Sequence, residues 1–160
     1  MILAKPTLRA LLIGAGISLL GLAIRAWAAG HIRKNAQLAV SGPYAFTRNP
    51  LYLGSFILGL GFTIASGRWV LAVLFVALFL GIYFPVMRVE DSTMAEMFGD
   101  QYQIYKRSVP LFFPRPTPYR QAPLTDIKFD ASLYLRYREY RAALGLAVAW
   151  SLLVAKSYFL

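Results

Sequence analysis

Four stretches of this 160-residue chain are apolar for close to the length a helix needs to cross a bilayer, roughly 20 residues for a ~30 Å hydrocarbon core. They span about 8–27, 50–65, 69–87 and 142–158, and together they take up nearly half of the sequence. With 58% hydrophobic and 15% charged residues, the chain carries more apolar surface than so small a globule can bury. The expected fold is therefore a single all-α domain, 1–160: a polytopic membrane protein with four transmembrane helices, a helical hairpin core and a cytoplasmic cap over about 88–141.

The first span could pass for a signal peptide, because Lys5 and Arg9 precede an apolar run and Ala26-Trp27-Ala28 resembles a cleavage site. Arg25 interrupts that reading, and further spans follow, so a retained helix is expected, with Gly14, Gly16 and Gly21 offering small faces for close packing. Pro50 suits the first turn of the second helix. Ser66-Gly67 is a tight turn, which makes the second and third spans an antiparallel hairpin. Pro85 predicts a bend or unwinding near the end of the third.

Charge orients the bundle. Of seventeen basic residues, four lie in 25–48 and nine in 88–141, so the positive-inside rule places these segments in the cytosol and both termini opposite. All seven acidic residues (Glu90, Asp91, Glu96, Asp100, Asp126, Asp130 and Glu139) fall in the same 88–141 segment, around a proline-rich centre that includes Pro110, Pro114 and Pro123. Membrane lipids account for the net charge of +10, and no nucleic-acid partner is expected. Within the cap, 91–106 has the spacing of an amphipathic helix through Met94, Met97, Phe98, Tyr102 and Tyr105, with Gly99 as a point of weakness. The pattern over 129–141 fits a helix lying among headgroups.

There is no cysteine and a single histidine, His31, so thiolate chemistry and histidine metal clusters are excluded; no metal is expected. His31 reads as a surface loop residue. Polar groups gather instead at two places on the expected cytoplasmic face, in 41–52 before and into the second span and in 88–91 after the third. The hairpin brings them side by side, a carboxylate pair beside a helix start. Such a pocket suits a zwitterion carrying an ammonium, a carboxylate and a sulfonium or purine, although phospholipid headgroups and nicotinamide nucleotides share some of these features. The plainer alternatives are a turn at Gly42-Pro43, a headgroup arginine at Arg48 and a solvated helix start at Glu90-Asp91.

In order, Gly42-Pro43-Tyr44, Arg48-Asn49-Pro50-Leu51-Tyr52, Glu90-Asp91, Phe98-Gly99, Tyr102, Tyr105 and Val109-Pro110 resemble the pattern of the isoprenylcysteine carboxyl methyltransferase and phospholipid methyltransferase superfamily over about 38–114. The resemblance implies an S-adenosylmethionine-dependent methyltransferase, with S-adenosylhomocysteine as product, acting on a lipophilic small-molecule or lipidated acceptor from the bilayer. It assigns the cofactor to Gln37, Leu38, Ala39, Tyr44, Asn49, Pro50, Leu51, Tyr52 and Glu90. Arg48 and Arg88 are candidate catalytic residues that could anchor an acceptor carboxylate. Two departures stand out: Asn49 replaces the usual histidine, which removes a titratable group, and Asp91 replaces the second glutamate. A membrane reductase using NADPH and a non-enzymatic lipid-binding protein are the competing readings.

Overall fold

The computed structural model of the chain describes residues 6–32, 37–120 and 129–158; Lys5, Arg33, Lys34, Pro123, Asp126 and Lys128 lie outside the described residues. The elements are α1 (Leu8–Ala29), a 3-10 turn (Gly42–Ala45), α2 (Pro50–Ala65), α3 (Trp69–Ser108), α4 (Ala131–Arg136) and α5 (Tyr140–Tyr158), with no strand among the described residues. Thr7 starts α1 by accepting the Ala10 N–H on its hydroxyl, 3.2 Å away, which satisfies one of the donors a helix start leaves open.

The tightest packing joins α1 to α2. A methyl group on Gly14 would come within 2.4 Å of the Gly61 carbonyl oxygen, so the two backbones touch where both residues lack a side chain. Ser18, fully buried between them, donates its hydroxyl to the Leu58 carbonyl at 3.0 Å. At Ser66-Gly67 the chain reverses, with Gly67 at φ +70, and α3 runs back along α2. Phe56 meets Phe75 and Phe79, and nearer the α2 start Tyr52 meets Tyr83, the order an antiparallel pair requires.

Three expectations change. The helix begun at Trp69 does not unwind at Pro85; its only non-helical residue is Gly99, at φ +51, ψ −131. Phe79 and Met87 stand two turns apart on one face and both bury against Phe112, so packing on either side of the proline holds the register. Glu90 and Asp91 are consequently mid-helix rather than at a helix start, while the 91–106 helix breaks at Gly99, the weak point read in its sequence. Finally, 129–141 is not one helix: it holds the six-residue α4 and the first two residues of α5, because the chain turns through Arg138 at φ +56 between them.

Among the described helices, α1 and α3 are long and apolar enough to cross a membrane, while α2 has 16 residues. Leu12, Leu19, Val73, Leu78 and Ile82 are each more than half exposed, so the outer faces of α1 and α3 call for an apolar surrounding rather than water. α5 packs lightly, seating Leu153 against Leu11 and Ala65 with Phe62 and Trp150 alongside.

Candidate functional site

Just before α2, the chain folds into a turn that the rest of the protein then holds by its backbone. Gly42 sits at φ +58, and a methyl group there would strike the His31 ring at 2.7 Å. His31 is therefore not a surface residue: it is 6% exposed, donates Nδ1–H to the Trp27 carbonyl at 2.9 Å and packs between Trp27 and Phe129. Its imidazole fills the space that the missing glycine side chain leaves.

Residues 44–49 are stitched to 110–119. The Arg48 N–H reaches the Pro110 carbonyl at 3.0 Å, the Arg115 N–H reaches that of Phe46 at 3.0 Å, and the Tyr119 N–H reaches that of Ala45 at 2.9 Å. Side chains add to the seam: Thr47 donates to the Phe112 carbonyl at 2.9 Å and the Asn49 amide to that of Leu111 at 3.0 Å. Tyr105 closes it from the helix after Gly99, donating to the Tyr44 carbonyl at 2.7 Å. Asn49, expected to face a ligand, spends its amide N–H on this seam while other atoms of the residue still border the cavity described next.

The turn, the start of α2 and the middle of α3 enclose a cavity of about 330 Å³, within the range of small-molecule sites. Gln37, Leu38 and Ala39 form one wall and Tyr44 another. Asn49, Pro50, Leu51 and Tyr52 line it from α2, with Glu90 opposite. Arg48 also borders it, whereas Arg88 does not: its guanidinium lies over the Phe84 ring, 5.1 Å from the centroid. Met94, Met97 and Phe98, read in sequence as one stripe of an amphipathic helix, supply the apolar side of the cavity, and Tyr102 and Tyr105 close it from beyond Gly99.

The two adjacent carboxylates have opposite surroundings. Glu90 is exposed at the lip and accepts a hydrogen bond from the Tyr52 hydroxyl at 2.8 Å. Asp91, a single residue on, is 7% exposed and is held by Arg48, Tyr102 and Lys106 together. It is not among the residues that the resemblance assigns to the cofactor, and it ties the 48 segment to the helix beyond Gly99. Burial pushes the Tyr44 phenol well above its ordinary range, and the nearby negative charges of Glu139 and Glu90 push it further. Burial likewise raises Tyr105 and lowers the Arg48 guanidinium. Both phenols therefore stay neutral, and the cavity walls are mostly apolar, with charge at Arg48, Glu90 and Asp91.

The sequence profile of a family described as phospholipid methyltransferase matches residues 10–101. Among relatives, the cobalt-zinc-cadmium resistance protein CzcN of Cupriavidus metallidurans is 40% identical over 113 residues, covering 68% of this chain and 50% of its own. The nickel-cobalt-cadmium resistance protein NccN of Alcaligenes xylosoxydans xylosoxydans is 34% identical over 98 residues, 60% of this chain and 46% of its own. The protein-S-isoprenylcysteine O-methyltransferase of Schizosaccharomyces pombe is 32% identical over 81 residues, 51% of this chain and 34% of its own. The chain thus spans half or less of the curated relatives it matches, and no solved structure matches it. The family match covers more than half of the chain and takes in the α1–α2 pair, the turn before α2, both carboxylates and most of the residues that line the cavity, and on that ground the chain belongs to the phospholipid methyltransferase family.

Proposed function

We propose that this protein moves a methyl group from S-adenosylmethionine to a lipophilic acceptor at a membrane, with the cofactor in the 330 Å³ cavity between the α2 start and the middle of α3. The observation that carries the reading is the makeup of that cavity: one half-open space offers a carboxylate at Glu90, a cation at Arg48 and an apolar, aromatic remainder. A zwitterionic sulfonium nucleoside asks for those partners. The further elements of the reading are a four-span bundle of α1, α2, the first part of α3 and α5, with the cavity facing the cytosol and both termini opposite, as the basic residues of 25–48 and 88–141 favour.

S-Adenosylmethionine supplies a methyl group already activated for transfer. The protein's share is to bind, align and keep water away. Glu90, steadied by the Tyr52 hydroxyl, takes the cofactor's ammonium; Leu38, Met94 and Phe98 pack the purine; and the neutral phenols of Tyr44 and Tyr105 seal the inner wall without adding charge. A carboxylate acceptor is anionic at neutral pH and needs no base, so proximity and desolvation suffice. This suits a chain whose site holds no histidine. A prenylated cysteine, the substrate in the name of the yeast relative, has such a carboxylate.

Two measurements test the reading. Calorimetry on the detergent-purified protein should show binding of S-adenosylmethionine and S-adenosylhomocysteine but not of NADPH; binding of NADPH alone would move the protein to reductase chemistry. Incubation with isotopically labelled S-adenosylmethionine and a total lipid extract should then give labelled lipophilic products by mass analysis.

A further inference from the structure

Arg48 is anchored by one corner. Its Nη1 meets both the Asp91 carboxylate and, at 3.3 Å, the Tyr102 hydroxyl, which in turn donates to Asp91. The opposite Asp91 oxygen is taken by Lys106. Among the described residues, neither Nε nor Nη2 of Arg48 has a partner, and Nε is buried. The side chain is 10% exposed and borders the cavity. Nε and Nη2 form the edge on which a guanidinium presents two parallel N–H groups, the fork that fits a carboxylate bidentately. A buried donor left without a partner is costly, so a ligand group that reached Nε from the cavity beside it would relieve that cost.

Charge agrees with the geometry. Lys106, outside the cavity, offsets the Asp91 charge from behind, so Asp91 does not by itself cancel the Arg48 guanidinium that borders the cavity. We infer that the Nε/Nη2 edge of Arg48 is a carboxylate-binding site and that Asp91, with Tyr102 and Lys106 behind it, is the positioning residue that turns this edge to the ligand. The inference rests on the methyltransferase reading and deepens it. The carboxylate belongs either to the amino-acid end of the cofactor or to the acceptor.

The experiment compares ligands that differ only in that group. The dissociation constant of the full-length protein in detergent is measured for S-adenosylhomocysteine and for its descarboxy analogue, which keeps the ammonium, and for N-acetyl-S-farnesylcysteine and its carboxamide. Each is repeated on Arg48→Lys, Asp91→Asn and Asp91→Glu. Arg48→Lys keeps the charge that Asp91 needs but has no fork, so it reports even if Asp91→Asn fails to fold.

The expected result is that Arg48→Lys weakens one carboxylate-bearing ligand by about tenfold or more while its carboxylate-free partner binds as before, Asp91→Asn does the same, and Asp91→Glu restores part of the loss. Loss confined to the S-adenosylhomocysteine pair assigns the site to the cofactor; loss confined to the farnesylcysteine pair assigns it to the acceptor. Equal weakening of both members of a pair, or no weakening of either, overturns the inference while leaving the methyltransferase reading in place. Failure of the unaltered protein to bind either S-adenosylhomocysteine or N-acetyl-S-farnesylcysteine overturns both.

Discussion

Replacing Glu90 by glutamine keeps the shape of the side chain and its bond from Tyr52 but removes the charge proposed to hold the cofactor's ammonium. A charge-assisted hydrogen bond shielded from water contributes about 1.5–3 kcal/mol, and an exposed ion pair about 0–1 kcal/mol. Glu90 stands between these cases: it is exposed, yet at the lip of a half-open cavity and held by a neighbouring hydroxyl. About 1–2 kcal/mol is the fitting value, which at 1.36 kcal/mol per decade is a weakening of roughly fivefold to thirtyfold. The fold should be indifferent, because Glu90 contributes nothing to the Asp91 cluster. Asp91→Asn should behave in the opposite way, leaving the buried Arg48 without its counter-charge and lowering the thermal midpoint, as breaking buried pairs does. Calorimetry with S-adenosylhomocysteine gives the first quantity and thermal unfolding in detergent the second, on the same preparations. Unchanged affinity in Glu90→Gln would show that the ammonium is held elsewhere, and a fall in its unfolding midpoint would show that Glu90 serves the fold.

Gly14→Val should disrupt the α1–α2 pair by several kcal/mol, since its Cβ would overlap the Gly61 backbone; loss of a monodisperse species on size-exclusion in detergent reports it, and a stable variant would refute the packing. Stability in detergent should hold level from pH 8 to about 10 and fall as pH rises beyond it: Tyr44 and Tyr105 have folded pKa values above their ordinary 10.0, so the unfolded chain releases those protons first. A circular-dichroism melt series across pH 8 to 12 checks the sign, and Tyr105→Phe should flatten the decline. In this cysteine-free chain, a single cysteine at position 106 should resist impermeant label added outside intact cells, and one at position 68 should accept it; the reverse pattern would invert the proposed topology.

The hairpin and the cavity wall could be read from sequence because their signals are local. Pro50 and Ser66-Gly67 bracket α2, and the short turn leaves α3 no direction but back along it, which sets Glu90 opposite Tyr52. What escaped was set by tertiary packing. Nothing near Pro85 announces that Phe79 and Met87 lock the helix from both sides, and nothing near His31 announces that its ring occupies the space above Gly42. Asp91 was underrated because a helix start and a helix interior look alike in a run of polar residues; its partners Tyr102 and Lys106 lie past the Gly99 break. The seam between 44–49 and 110–119 runs largely through backbone carbonyls, which leave no mark on residue type.

That seam also sets an order of events. When a ribosome has made α2 and the apolar part of α3, the turn before α2 still lacks the backbone partners that satisfy the Arg48 N–H and the Phe46 and Ala45 carbonyls. Those partners arrive only with residues 110–119, beyond the end of the family match at residue 101. The α2–α3 hairpin can therefore form before the turn that borders the cavity is held, and a nascent chain halted near residue 101 would carry the hairpin without the partners that fix that turn.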